Sequence, residues 1–365
     1  MRTALKLTAL CALIVGTALA PVAARTDAPV LVGPTFESIG PLAFGPNGVL
    51  YAADKSAATI FALDLGAQSA GKTPGTKDVP AIDQKVASLL GTDVREITIT
   101  DLAVHPTSRN SFLSVMRGQG AGAQSALVRV DGAGTLEVVT LDAMQFTKVT
   151  LPNPAAVNPN GRGGRADAIT DMAFSNGRLF VAGLSNEEFA SKLWSVPYPF
   201  GATADNGTSV EIFHGNHNAY ETRSPVYAFV PTNVGGQPSL IAGYLCTPLV
   251  QFPVGDLKPG AKIMGKTIAE LGNRNRPIDM VLYQKDGKQF LLMTNTSRGV
   301  MKLDTAEFAK ADAITTRVAE KGGVPYETIT AMTGVEQLDL LNATHTIVLA
   351  RDEARVLNLR AVVLP

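Results

Sequence analysis

Short apolar runs separated by turn residues recur along most of the chain, and they fall into a repeating unit. Each unit opens with a run of six residues whose third position serves as a marker. The six openings are IGPLAF (39–44), ITDLAV (99–104), ITDMAF (169–174), SPVYAF (224–229), PIDMVL (277–282) and VEQLDL (335–340). The marker residues are Pro41, Asp101, Asp171, Val226, Asp279 and Gln337, at intervals of 60, 70, 55, 53 and 58 residues. A unit that recurs at such similar intervals indicates a repeat architecture.

Every opening is followed by a turn and then by two further apolar runs. The second runs are GVLYAAD, SFLSVMRG, RLFVAGLSN, SLIAGYLCT, QFLLMTNTS and HTIVLARDE, and the third runs are TIFALDL, ALVRVD, KLWSVPY, LVQFPV, GVMKLD and RVLNLR. Turn sequences such as PNG, SNG and KDG separate the first two runs in several units. Short strands repeated in this order without alternating helices predict an all-β fold, a six-bladed β-propeller with about four strands per blade. A β-sandwich would not explain six copies of one strand order.

The outermost strand of each blade is less clearly marked. LEVVTL (136–141) and SVEIFH (209–214) are predicted fourth strands, and PVLVG (29–33) is expected to supply the outer strand of the last blade and close the ring. Closure of this kind would cover open sheet edges. Residues 67–95 form a predicted insertion after the first blade, and the apolar spacing in AIDQKVASLLG predicts one short helix within it.

One unit carries a family resemblance. SIGPLAFGPNGVLYAADKSAATIFALDL (38–65) resembles a blade of the six-bladed propellers found in NHL-repeat proteins and in SMP-30/gluconolactonase-like enzymes. The resemblance concerns the blade pattern and extends over most of the chain after the first 24 residues. It implies a fold shared by calcium-dependent lactonases and esterases, a condensing enzyme and non-enzymatic binding modules, and a fold of this kind does not fix a function.

The N-terminal residues 1–24 carry Arg2 and Lys6, then an apolar run, then small residues, which is the pattern of a secretory signal peptide. We therefore expect an exported protein, periplasmic or extracellular, with a single propeller domain over residues 25–365. A retained anchor is the alternative, although the apolar run is short for a membrane span. Cleavage would leave Cys246 as the remaining cysteine, so no internal disulfide is expected.

Composition narrows the range of partners. The chain has 365 residues, with 32 Lys plus Arg and 32 Asp plus Glu, so its formal net charge is zero. This balance argues against a bulk electrostatic surface for nucleic acid or an anionic membrane. No run after the leader is long and apolar enough to span a bilayer.

Arginines gather in the loops that enter the predicted inner strands. They are Arg95, Arg165, Arg223, Arg274, Arg276 and Arg298, the last in a hairpin loop expected on the same face. Further hairpin residues expected there are Lys55, Arg117, Asn186, Glu187, Thr247, Asn295 and Arg351. Guanidinium groups suit carboxylate or phosphate recognition, so one hypothesis is an anion-binding mouth around the central axis. The alternative is that each arginine pairs with a nearby acidic residue and ties blades together.

Carboxylates at the marker position support a second hypothesis. Asp101, Asp171 and Asp279, joined by Glu37 at the entry to the first blade, could hold Ca²⁺, which favours several oxygen ligands. Glu37 loosely resembles the first-blade glutamate of the lactonase-like enzymes. The alternative is that each aspartate accepts hydrogen bonds from backbone N–H groups at the start of its strand.

The segment HGNHNAYETRSP places His214, His217 and Glu221 at H-x-x-H-x-x-x-E spacing. Imidazole and carboxylate can bind Zn²⁺, and either histidine could act as a general base. A solvated or locally hydrogen-bonded loop is the alternative.

Cys246, at the end of an apolar run, is either a buried inert thiol or a nucleophile facing the site.

Two function classes follow. The first is a non-catalytic protein that binds a small anionic ligand or a partner protein at the arginine-rich face. The second is a Ca²⁺-dependent hydrolase of lactonase or esterase type that uses the axial carboxylates. The first is favoured because the hydrolase requires a ligand set that the sequence supplies only in part.

Overall fold

The computed structural model describes residues 32–75, 77–158, 164–201, 203–246 and 248–365. The predicted signal peptide, residues 29–31 of the predicted closing strand and Thr247 lie outside these ranges. Within them the secondary structure is almost entirely β, which confirms the predicted class.

The strands, in chain order, are β1 (Ile39–Phe44), β2 (Leu50–Asp54), β3 (Thr59–Leu63), β4 (Ile97–Val104), β5 (Ser111–Arg117), β6 (Gln124–Val130), β7 (Leu136–Val138), β8 (Phe146–Thr150), β9 (Asp171–Ser175), β10 (Arg178–Leu184), β11 (Ser191–Pro197), β12 (Thr208–His214), β13 (Ala219–Glu221), β14 (Val226–Val234), β15 (Gln237–Tyr244), β16 (Pro248–Pro253), β17 (Lys262–Met264), β18 (Lys266–Leu271), β19 (Pro277–Lys285), β20 (Lys288–Asn295), β21 (Val300–Asp304), β22 (Lys321–Gly323), β23 (Glu327–Ile329), β24 (Val335–Leu340), β25 (His345–Arg351) and β26 (Leu357–Val363). One α-helix, α1 (Ile82–Leu89), lies in the predicted insertion.

These strands form six sheets, antiparallel apart from the parallel pairing of β17 with β12, and the sheets are the six predicted blades. Numbered by the order of their inner strands, blade I contains β1, β2, β3 and β8; blade II, β4 to β7; blade III, β9 to β13; blade IV, β14, β15, β16, β18 and β22; blade V, β19, β20, β21 and β23; and blade VI, β24 to β26. Four of the predicted openings lie within inner strands, and the other two, 169–174 and 224–229, begin two residues before β9 and β14. The predicted fourth strands in 136–141 and 209–214 are β7 and β12.

Blades stacked face to face bury the central strands on both sides. All five residues of β2 and all five of β3 are buried, and β10 is buried over its last six positions. This explains why the second run of each unit reads as continuously apolar instead of alternating. Six apolar clusters fill the interfaces between adjacent blades.

The order of blades around the axis differs from their order in the chain. Inner strand β1 lies beside β4 on one side and β9 on the other, and β24 lies beside β4. The ring therefore runs I, III, IV, V, VI, II and back to I. Blade II is inserted in sequence between β3 and β8, so blade I receives its outer strand only after blade II is complete.

Other neighbouring blades also exchange strands. β17 leaves the blade IV segment to pair in parallel with β12 of blade III, before β18 completes the fourth position of blade IV. β22 follows the third strand of blade V in sequence but pairs with β18 of blade IV. Only afterwards does β23 pair with β21.

The outer edge of blade VI is covered by the insertion. Val79 exchanges two backbone hydrogen bonds with Leu359, of 2.9 and 3.0 Å, and the Asp78 carboxylate accepts the Ala361 N–H. Val32 and Gly33, the described part of the predicted closing strand, are not in a strand. Over the described residues the edge of blade VI is closed through Val79, and the rest of the predicted closing strand, residues 29–31, lies outside them.

Helix α1 packs beside this bridge. Ile82 and Val86 are buried in one apolar cluster with Val79 and residues of blades II and VI. Among the described residues, no helix has the length and apolar character needed to cross a membrane.

Val79→Ala should lower the free energy of unfolding by about 2 kcal/mol, because it removes buried methyl groups at the blade VI edge. Urea unfolding followed by circular dichroism measures the change. Leu89→Ala, on the exposed side of α1, is the matched control and should cost well under half as much. Equal effects of the two substitutions would contradict the packing of the Val79 side chain at this edge.

Candidate functional site

The channel along the axis is bordered by carboxylates that link blades. Asp171 Oδ1 accepts the N–H of Met172 in its own strand (2.7 Å), and Oδ2 accepts the N–H of Phe229 in blade IV (2.7 Å). The same pairing recurs for Asp101 with Leu102 and Leu42, for Asp279 with Met280 and Leu338, and for Asp339 with Leu340 and Val104. Each aspartate therefore ties its own inner strand to that of the adjacent blade.

Asp339 was not predicted as a member of this set because it stands two residues after the marker position of its unit, which Gln337 occupies. With its amide nitrogen directed to the axis, Gln337 donates to Asp279 Oδ2 (3.0 Å) and to Asp101 Oδ1 (3.1 Å). The sequence did contain a signal for it, because Gln337 and Asp339 are polar residues at alternate positions of one inner strand and therefore face the same side.

Burial controls the protonation of this ring. It raises the pKa of Asp101 to about 7, although the backbone donors of Leu42 and Leu102 act in the opposite direction. Burial likewise raises the pKa of Asp339 to about 6, and it raises the pKa values of Asp171 and Asp279 well above the ordinary value. The channel therefore carries less negative charge near neutral pH than four ordinary carboxylates would.

The residues predicted to hold Ca²⁺ are placed as follows. Asp101, Asp171 and Asp279 all line the axial channel, a cavity of about 300 Å³. Within the described ranges they are not among the groups whose ligand atoms gather within 4.8 Å of one another. Glu37 is exposed and lines a separate cavity that also includes Arg165. The calcium role stays a prediction, and the four backbone-bonded carboxylates match the alternative given with it.

Above the channel the mouth widens into a cavity of about 850 Å³. Its charged lining residues are Lys55, Arg276, Arg351, Arg355, Asp167, Glu336 and Asp352. The Arg351 guanidinium is held by Glu336 (2.6 Å) and by Asp83 (3.5 Å). Three of the four cations, Lys55, Arg276 and the exposed Arg355, form no ion pair within the part of the chain that the structure describes.

Arg276 lies over the ring of Tyr227, with its guanidinium carbon 5.1 Å from the ring centroid. This stacking holds the planar group at the cavity wall while leaving its edge donors exposed. Lys55 packs its stem against Gly40, which has no side chain to occupy that space. Burial lowers the pKa of Lys55, and the charges of Asp167 and Asp101 oppose that shift.

The other five predicted arginines do not line the mouth cavity. Arg95 pairs with Asp93 at 2.9 Å and is largely exposed. Arg165 donates to the carbonyls of Ala155 and Ser56, at 2.8 and 2.9 Å, and so ties an entry loop to blade I. Arg298 lies 3.6 Å from Glu320. The remaining two, which are both exposed, are Arg223 and Arg274.

A second cluster joins blades III and IV. His214 ends β12, His217 follows in the turn before β13, and Cys246 follows β15. One ligand atom from each of these side chains lies within 4.8 Å of the other two. The spacing of the two histidines in the sequence predicted that they act together, but nothing in that spacing connected them with Cys246, which the fold brings in from the adjacent blade.

Glu221 anchors both rings of this cluster. Its Oε1 lies 3.0 Å from His214 Nδ1 and 2.5 Å from His217 Nδ1, and the Ser224 hydroxyl donates to Oε2. Burial raises the pKa of Glu221, but the hydrogen bonds from His214, Ser224 and His217 outweigh it and lower the value to about 2. The carboxylate is thus ionised, as it must be to accept from both rings.

Six sheets stand in a closed ring with their inner strands around one axis, and this arrangement defines a β-propeller protein. No family model and no curated protein matches the sequence. The chain is similar in fold to the PQQ-bound aldose sugar dehydrogenase of Streptomyces coelicolor (11% identity, 91% of this chain and 96% of that one, TM-score 0.34). It is also similar to the Cps50 β-propeller domain of Myceliophteria thermophila (9% identity, 90% and 84%, TM-score 0.40) and to a chain of the Drosophila Plexin A–Semaphorin 1b complex (10%, 92% and 87%, TM-score 0.37). At TM-scores of 0.34 to 0.40 these similarities add nothing to the fold, which the six sheets of this chain establish.

Proposed function

We propose that the protein binds a small anionic ligand, of the carboxylate or phosphate class, in the mouth cavity around the axis. The observation that carries the proposal is the pair of cations, Lys55 and Arg276, which face one cavity without a carboxylate partner among the described residues. The ligand is either free or presented by a partner protein. Export through the N-terminal leader, which would put this mouth in the periplasm or outside the cell, is part of the same proposal.

The partial burial of Lys55 explains why an anion would bind beside it. A half-buried ammonium has lost part of its hydration, and an anion placed beside it restores favourable interactions. Arg276 adds a planar pair of donors that matches a carboxylate or a phosphate. The Thr98 hydroxyl also borders the cavity and can donate to a further oxygen of the ligand, whereas the hydroxyls of Thr100, Thr170 and Ser297 already donate to backbone carbonyl groups.

Isothermal titration calorimetry with succinate, citrate, inorganic phosphate and a sugar phosphate tests the proposal. We expect at least one of them to bind, and we expect Arg276→Ala and Lys55→Met each to weaken it about 10-fold or more, because each removes a charge-assisted contact. Arg223→Ala, an exposed arginine outside the cavity, is the matched control and should bind like the unmodified protein. Binding that Arg276→Ala and Lys55→Met leave unchanged would refute the site, as would a failure of all four anions to bind.

A Ca²⁺-dependent lactonase or esterase is the alternative, and it would use the channel immediately below the same mouth. The observation that favours it is that Asp101, Asp171 and Asp279 line this one channel, where burial raises the pKa of Asp101 to about 7, a value suited to a general acid. Turnover of lactones and aryl esters that requires added Ca²⁺ and disappears in Asp101→Asn would support this alternative over simple binding.

A further inference from the structure

We propose that His214, His217 and Cys246 form a binding site for a divalent transition metal, with Zn²⁺ as the representative ion. The site lies at the boundary between blades III and IV and is separate from the mouth cavity, whose lining contains none of the three residues. It does not rest on the proposed anion binding.

The convergence of the three side chains comes from two distant parts of the sequence. His214 and His217 belong to the outer edge of blade III, whereas Cys246 belongs to the turn after β15 in blade IV. Their ligand atoms lie within 4.8 Å of one another, and the ligand atoms of a tetrahedral zinc site are about 3.5 Å apart. Small side-chain movements would therefore bring them to bonding distance around one ion.

Glu221 prepares both histidines for coordination. An ionised carboxylate that accepts from Nδ1 of each ring fixes the proton on Nδ1 and leaves the lone pair on Nε2. Metal-bound histidines in proteins commonly have such a carboxylate on the opposite nitrogen, where it orients the ring and raises its basicity. Here a single carboxylate serves both rings, whose centroids are 3.8 Å apart.

An independent observation points to a ligand at this place. His214 is only 1% exposed, and its Nε2 is buried with no hydrogen-bond partner in the described structure. A buried polar nitrogen without a partner is unfavourable, and a metal ion would satisfy it. A structural core histidine would instead be expected to use both of its nitrogens.

The donor set determines the class of metal. Two imidazoles and a thiolate are ligands for Zn²⁺, Co²⁺ or copper, whereas Ca²⁺ and Mg²⁺ require oxygen ligands. Three protein ligands leave one coordination position for water or another group.

Cys246 also donates its backbone N–H to the carbonyl of Asn275 (2.7 Å), which directly precedes Arg276. Metal binding would therefore hold the segment that carries the mouth arginine.

The test uses the full mature chain without a histidine tag, stripped with a chelator and dialysed. We expect one equivalent of Zn²⁺ to bind by calorimetry and elemental analysis, and Co²⁺ to produce a thiolate-to-cobalt charge-transfer absorption. His217→Ala and Cys246→Ser should each weaken Zn²⁺ binding at least 100-fold, and Glu221→Gln should weaken it about 10- to 100-fold. His345→Ala, a histidine in β25 of blade VI, is the matched control and should bind normally.

Thermal unfolding separates loss of metal from loss of fold. Zn²⁺ should raise the melting temperature of the unmodified protein and of His345→Ala, but not that of His217→Ala or Cys246→Ser. The proposal is overturned if the unmodified chain binds no stoichiometric Zn²⁺, if Cys246→Ser binds it equally well, or if the Co²⁺ complex shows no thiolate band. None of these results depends on whether the mouth binds an anion.

Discussion

Replacing Asp171 by alanine should lower the free energy of unfolding by about 2–5 kcal/mol, because two buried backbone donors lose their acceptor at once. These donors are the N–H groups of Met172 and Phe229, which belong to inner strands of blades III and IV. The loss therefore weakens the start of one strand and the contact between two blades. Urea unfolding monitored by tryptophan fluorescence would measure it, since Trp194 is buried in blade III.

Two further variants show whether the loss of the hydrogen-bonding carboxylate causes the fall in unfolding free energy. Asp171→Asn keeps one acceptor oxygen and should lose less stability than Asp171→Ala. Asp312→Ala, an exposed aspartate outside the strands, should change the unfolding free energy by less than about 0.5 kcal/mol. If Asp171→Ala were as stable as Asp312→Ala, the carboxylate would have no role in joining the blades.

The axial carboxylates should also make the protein less stable as the pH rises from about 4 to about 7. Burial raises the pKa of Asp101 to about 7 and of Asp339 to about 6, so in this window the folded state binds more protons than the unfolded state. The free energy of unfolding then falls with rising pH and levels off above the folded-state values. The shift at Asp101, from 3.8 to about 7, corresponds to a loss on the order of 4 kcal/mol.

Neighbouring groups shape this profile. The like charge of Asp339 raises the pKa of Asp101, and Lys55 lowers it. His105, whose pKa is lowered by burial, contributes in the opposite sense below pH 6.5, and the stability that Glu221 contributes is already gained below pH 5. The difference between the unmodified protein and a variant therefore gives a cleaner measurement than either profile alone.

Urea unfolding at pH 5, 6, 7 and 8 measures the effect. Asp339→Asn removes one titrating group, so its unfolding free energy should fall less between pH 5 and 7 than that of the unmodified protein. His105→Gln would remove the opposing contribution and should make the fall steeper. A profile that rises from pH 5 to 8 in the unmodified protein and in His105→Gln would show that the ring is ionised throughout.

The repeating pattern was sufficient to predict the class of fold and the inner strands. The period identified all six openings, and β1 and β24 have the predicted limits. The order of blades around the axis was not predictable, because every repeat has a similar core face and the sequence does not say which faces meet. The exchange that places β8 beside β3 depends on contacts across an entire intervening blade.

In the candidate sites, too, the features that follow the repeat were predictable and those that depend on tertiary contacts were not. Asp101, Asp171 and Asp279 were found because they share one position in a repeat, and the structure gives them one shared set of contacts. Cys246 was not joined to His214, since the two come from different blades and only tertiary packing brings them together. Arginine content likewise identified the entry loops, but it could not show that Arg165 is already held by carbonyl groups while Arg276 is not.

The exchange of strands between blades has a consequence for how the molecule comes apart. In an open array of repeats, a terminal unit can fray or be deleted while its neighbours persist. Here blade I is complete only after blade II, and blade IV is complete only after three strands of blade V. A protease cut or a shortened chain would damage two sheets together. We therefore expect the ring to unfold in one cooperative step, without a stable intermediate that lacks a single blade.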